Sequence, residues 1–251
     1  MNWTVLSAPL IRLAGELAAA GVLYSYLRSV GFYEFTAPEA DGLAMLILLL
    51  GSIYAVMFAF VIFVIWNQFT ETESFAMREC HTLNDLLRFS DYMNPDASHE
   101  IRRALVEYAQ RVAKSEWRSL GERRKDTQSE KAFSFLMSTV IKAVPANTAE
   151  EKMHSRLIDI ARRAGEHRDD RIAKSLTQIP PTLVRLVNAM AIALLLLVFV
   201  YPFHRWQTGF SCFVVVAVVL SGANFVMMDT DNPFDGVCSV SPRPFLDLTG
   251  S

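Results

Sequence analysis

Three stretches of the chain hold no Asp, Glu, Lys, Arg or His: Gly42 to Trp66, Leu186 to Phe203 and Gln207 to Met228. A helix rises about 1.5 Å per residue, so each block, with a few flanking residues, is long enough to cross a hydrocarbon layer roughly 30 Å thick. Buried helices of soluble proteins seldom stay apolar on every face for so long. The pattern therefore predicts three membrane-spanning helices. A further apolar segment, Trp3 to Leu27, contains Arg12 and Glu16, four apart and on one helical face. The preferred reading is a fourth span whose ion pair faces protein. An amphipathic helix in the interface is the second reading. A cleaved signal is third, because no basic n-region precedes the apolar run and Arg12 interrupts it.

Between the first two apolar blocks the pattern becomes amphipathic. The Gly42 to Trp66 helix is expected to run past Phe69 into Leu83, Leu86 and Leu87. Asn94-Pro95 marks a stop and a fresh start, since proline suits a first helical turn. Ile101, Ala104, Leu105, Tyr108 and Val112 then recur at helical spacing, up to about Gly121. Phe133, Leu136, Val140 and Ile141 form another stripe, stopped by Pro145. Thr148 with Glu151 reads as a capping box opening a helix through Met153, Leu157, Ile160, Ala161 and Ala164. Pro180-Pro181 starts the next span, and no strand pattern of any length occurs.

Charge adds orientation. Of 24 Lys and Arg, all but Arg12, Arg28, Arg185, Arg205 and Arg243 lie between Arg78 and Lys174. That stretch is also rich in Asp and Glu, so it reads as a mixed solvated surface and not as a nucleic-acid patch. By the positive-inside rule the central region is cytoplasmic, and the turn from Pro202 to Gln207 lies outside, which returns the C-terminus to the cytoplasm. The expected class is an all-α integral membrane protein with three to four transmembrane helices and a helical cytoplasmic domain between the second and third. Its parts are a membrane region at 1–69, the cytoplasmic domain at 70–180, a transmembrane hairpin at 181–228 and a cytoplasmic tail at 229–251. Cys80, Cys212 and Cys238 are scattered and read as reduced thiols.

Candidate chemistry is sparse. The histidines at 81, 99, 154, 167 and 204 have no zinc spacing, and no phosphate loop or nucleophile elbow is present. Glu79, His81 and Asp85 are the best acid–base candidates, but their spacing spreads them partly around the helix. No enzyme is expected. In the Gly42 to Trp66 helix, at about 100° per residue, Ser52 and Asn67 fall on one stripe with Val56, Phe60 and Phe63. Repeated around an axis, such a face makes a pore with wettable mouths and a hydrophobic constriction. Packing against neighbouring helices is the alternative. Glu71 and Glu73 just beyond it would line a vestibule in an oligomer. After the last span, Asp229, Asp231, Asn232 and Asp235 offer oxygen donors of the kind calcium takes, without the later bidentate Glu of an EF-hand. A turn that anchors Phe234 needs no metal.

The run Asp231-Asn232-Pro233-Phe234-Asp235-Gly236 after the final span resembles the bestrophin-like family of bacterial membrane proteins, with Glu79, Tyr108 and Glu116-Trp117 in support. In layout the likeness covers Leu43 to Phe245. It implies a homo-oligomer, pentameric in bestrophins proper, that passes inorganic ions through a bacterial inner membrane. By the same resemblance Val56, Phe60 and Phe63 take the neck role, and Asp229, Asp231 and Asp235 a calcium-clasp role. Asp235 is interposed before Gly236, and the neck helix lacks the family's proline. The expectation is an ion channel; a membrane-anchored scaffold binding a soluble partner is the alternative.

Overall fold

The structure, a computed structural model, describes residues 21–23, 25–26, 29–30, 37–177, 179–236 and 238–249. Most of the segment from Trp3 to Leu27, with Arg12 and Glu16, lies outside them. Among the described residues all regular structure is helical: α1 (Ala37–Ser90), α2 (Pro95–Arg111), a π-helical turn (Val112–Glu116), α3 (Trp117–Gly121), α4 (Thr127–Lys142), α5 (Thr148–Leu176), α6 (Pro181–Val200), α7 (Trp206–Thr230) and α8 (Arg243–Asp247). The part of α1 opening at Glu39, together with α6 and α7, is long and apolar enough to cross a membrane. The predicted spans and the unbroken continuation of α1 past Phe69 are both found.

The chain forms two compact units: Met1–Ile65 with Ile179–Met228, and Trp66–Gln178 with Asp229–Ser251. In the first, Tyr54, Val61 and Ile65 on one face of α1 pack with Val187 and Leu194 of α6 and Leu220 and Met227 of α7. Gly51 lies on the same face, where an added Cβ would make only an ordinary contact with Leu194 Cδ1 at 3.7 Å. Lipid is as apolar as these side chains, so close van der Waals packing, and not the hydrophobic effect, holds the helices together.

The second unit is a water-type helical core. Leu83, Leu86, Ile101, Leu105, Leu120, Leu136 and Leu157 are fully buried, each contributing about 1.5–3 kcal/mol by leaving water. Its helix ends are capped by side chains. Asn94 Oδ1 accepts from Ala97 N at 2.9 Å, with Pro95 opening α2. Asp126 caps α4 by accepting from Gln128 N. Two readings from the sequence shift. The α5 cap is Asn147, whose Oδ1 accepts from Ala149 N and Glu150 N at 3.0 Å, while Glu150 reaches back to Ala146 N. Asparagine caps as well as threonine does and is met first by the chain. On α4 the buried face is Ser129, Ala132, Leu136 and Val140, while Ile141 points outward.

Candidate functional site

The stripe on α1 lies on the side not used for packing. Ser52, Val56, Phe60, Phe63 and Asn67 are all exposed, at 70% for Val56, 55% for Phe60 and 68% for Phe63. Ser52 Oγ donates to Leu48 O at 2.8 Å, which satisfies the hydroxyl within its own helix. The opposite side of the same stretch carries Tyr54, Val61 and Ile65 in the core.

Beyond the apolar block, in the second unit, Asn67 Nδ2 donates to Glu71 Oε1, and Lys174 Nζ sits 2.6 Å from Glu71 Oε2. The hydrogen bond from Lys174 lowers the Glu71 pKa. Gln68 Nε2 donates to Thr177 O at 2.6 Å, closing a free carbonyl at the end of α5. Glu71 is thus neutralised by its own chain. Glu73 is exposed and has no ion pair among the described residues.

The second unit also buries a network of charges. Arg171 Nε donates to Glu79 Oε2 at 2.7 Å, its Nη2 to Glu116 Oε2 at 2.8 Å, and Tyr108 Oη to Glu79 Oε1 at 2.5 Å. Arg168 joins Glu116 Oε1 at 2.7 Å and Glu130 Oε2 at 2.8 Å. Glu79, Glu116, Arg168 and Arg171 are at most 3% exposed, and their charges balance. Burial opposes the Arg171 charge, but Glu79 and Glu116 hold it protonated even more firmly than usual. Burial, with Glu79 alongside, pushes the Tyr108 hydroxyl well up, so it stays a donor. The π-helical turn makes the network reachable. Its wide bond, Trp117 N to Val112 O, adds a residue to the turn, so that Glu116 and Trp117, adjacent in sequence, are both buried.

Trp117 passes the lock on to the tail. Its Nε1 donates to Val240 O at 2.9 Å, and its ring meets Phe234 at 4.8 Å and Phe245 at 5.5 Å. The Arg171 guanidinium lies 5.5 Å from both the Trp117 and Phe245 ring centroids. Asn232 Nδ2 donates to Gly121 O at 2.7 Å. Gly236 has φ +98°, and a Cβ there would come within 2.5 Å of Asp229 Oδ1, so only glycine fits.

The motif residues Glu79, Tyr108, Glu116, Trp117 and Phe234 therefore converge on one locked core. The other candidate groups do not converge. Asp231 pairs with Arg123 at 2.7 Å, Asp229 Oδ2 accepts from Cys238 N, and Asp235 is exposed. Among the described residues no group of three or more His, Cys, Asp or Glu is placed to hold a metal. His81 and Asp85 are exposed while Glu79 is buried, so no acid–base set forms there. Sequence reasoning took Arg168 and Arg171 for solvated charges. The signal for their burial was their place in the α5 stripe Leu157, Ala161, Ala164, Arg168, Arg171, Ser175, all buried.

Apolar spans joined to a charge-locked helical unit define a multi-span, all-helical membrane protein. More particularly, the chain belongs to the Bestrophin-like family, whose domain profile matches residues 41–245. Its fold is similar to that of a bacterial bestrophin homologue from Klebsiella pneumoniae, solved several times. One single-residue variant gives a TM-score of 0.70 at 11% identity over 97% of this chain and 98% of that one. A second gives 0.67 at 14% identity over 100% of both chains. The form phased with zinc gives 0.67 at 13% over 98% and 99%. No curated protein matches the chain.

Proposed function

We propose that the chain is the subunit of a homo-oligomeric ion channel in a bacterial inner membrane, a pentamer by the family likeness. Copies gather so that Ser52, Val56, Phe60, Phe63 and Asn67 border a shared conduit. Val56, Phe60 and Phe63 form the narrow, apolar middle, which gates by losing its water. The observation that carries this reading is the match to the Bestrophin-like profile over residues 41–245; the exposure of those three large apolar side chains opposite the packed face leaves them free of the subunit core and available to a conduit. The positive-inside rule puts the second unit and the tail in the cytoplasm. There Glu73, and not the Lys174-paired Glu71, is the free carboxylate near the mouth. Permeation is passive and needs no covalent step.

Planar-bilayer recording of the purified protein tests this. Unitary currents are expected, with conductance several-fold higher for Phe60→Ala and Phe63→Ala, because removing a ring widens and wets the constriction. Silence under every ion, voltage and calcium condition would count against the channel.

A further inference from the structure

Within the second unit, α5 ends beside the stretch of α1 that follows the apolar block. Gln68 Nε2 on α1 donates to Thr177 O at 2.6 Å, and Arg171 on α5 holds Glu79 of α1 at 2.7 Å. Positions 68, 71 and 79 along α1 thus meet positions 177, 174 and 171 at the end of α5, so the two helices run antiparallel. Lys174, between the two fixed points, places Nζ 2.6 Å from Glu71 Oε2. Asn67 Nδ2 donates to the other oxygen, Glu71 Oε1, at 3.2 Å. Lys174 stands in the last turn of α5, where a cation suits the carbonyl end of a helix.

Two features set this ion pair apart from others on the surface. Glu71 is the first carboxylate that α1 presents after Trp66. It lies about 40° round the helix from Asn67 and about 6 Å further along it. It therefore continues the stripe of Ser52, Val56, Phe60, Phe63 and Asn67. Both partners are also open to water, the Lys174 side chain at 39% and that of Glu71 at 41%, so ions in solution reach them. A pair this exposed adds little to stability, and its main effect is on the local field. Glu73 lies about 160° from Glu71 round the helix and does not take its place on the stripe. The next acid–base pair along the two helices, Arg171 with Glu79, is buried and presents no charge to solvent.

We propose that Lys174 sets how the mouth of the conduit discriminates ions by the sign of their charge, an assignment that rests on the conduit reading of α1. Copies gathered about an axis bring one Glu71 and one Lys174 each, so the acidic ring is cancelled by an equal number of bases. Without Lys174 the ring draws cations and repels anions; without Glu71 it does the reverse. Lys174 is thus a specificity residue that acts through charge, while Val56, Phe60 and Phe63 act through width and wetting.

Reversal potentials of the full-length protein in planar bilayers, under a potassium chloride gradient, test it. Lys174→Gln is expected to raise the potassium-to-chloride permeability ratio about threefold or more over the parent, and Glu71→Gln to lower it by a similar factor. The double variant, neutral like the intact pair, should return to the parent's ratio, and Lys174→Arg, which keeps the charge, should hold it. The shifts should shrink in molar salt, where the screening length falls to about 3 Å from about 10 Å at 0.1 M. Parent currents whose ratio is unmoved in both single variants, or moved the same way in both, overturn the assignment and leave the conduit standing. A shift in Lys174→Arg as large as in Lys174→Gln also overturns it, since shape and not charge would then be at work. A silent parent overturns the conduit itself, and the assignment falls with it.

Discussion

Arg171 is the residue on which most of the second unit's polar order depends. It is fully buried, bridges Glu79 to Glu116 and lies against Trp117 and Phe245. Desolvating such ions costs several kcal/mol each, and their attraction returns that only when the geometry is good. Removing one partner then strands the others. Arg171→Met is expected to cost about 3–5 kcal/mol, seen as a large drop in the thermal midpoint of the detergent-solubilised protein. Adding Glu79→Gln to that variant removes a stranded carboxylate and should recover part of the loss. If the double variant is no more stable than the single one, the penalty comes from lost packing against the two rings and the charge argument fails.

At the scale of elements, helix ends carry a pH dependence. Asp126 caps α4, and although burial opposes its charge, hydrogen bonds from Ser129 and Ser115 and from the Gln128 amide lower its pKa. A carboxylate depressed on folding contributes stability in full above its unfolded pKa and loses it as pH falls through the folded one. Asp126→Asn keeps a capping oxygen but removes the titration, so the acid limb of the midpoint-versus-pH curve should flatten while neutral stability falls by under about 1 kcal/mol. An unchanged acid limb would assign that pH dependence to other groups. Such caps are legible in sequence to within a residue, as Asn147 in place of Thr148 shows, because several good capping residues stand side by side. Spans are legible because apolar length has few other uses. The charge lock was only half legible: the α5 stripe from Leu157 to Ser175 marks Arg168 and Arg171 as inward among Arg162, Arg163, Asp169 and Asp170, but their partners Glu79 and Glu116 come from distant helices that no local pattern pairs with them. Tail docking on Trp117 was hidden for the same reason, since Val240 and Phe245 reach it from more than a hundred positions away.

For the whole molecule, function turns on what covers the exposed face of α1. In sequence and in a single chain, phenylalanines that border a conduit look the same as phenylalanines that meet lipid, because both leave them outside the subunit core. Assembly separates the two cases by distance. If Phe63 borders a narrow axis, the same position in neighbouring copies lies within a few side-chain lengths. If it faces lipid, copies are held apart by whole helices about 10 Å across. The native thiols leave room for the measurement, since Cys80 is buried while Cys212 and Cys238 can be replaced by serine. In that background Phe63→Cys is expected to link copies efficiently with a short bismaleimide in native membranes, whereas Val219→Cys, exposed on α7, should link poorly. The reverse pattern would move the axis to α7 and leave the aromatic stripe of α1 to the bilayer, and the conduction reading would go with it.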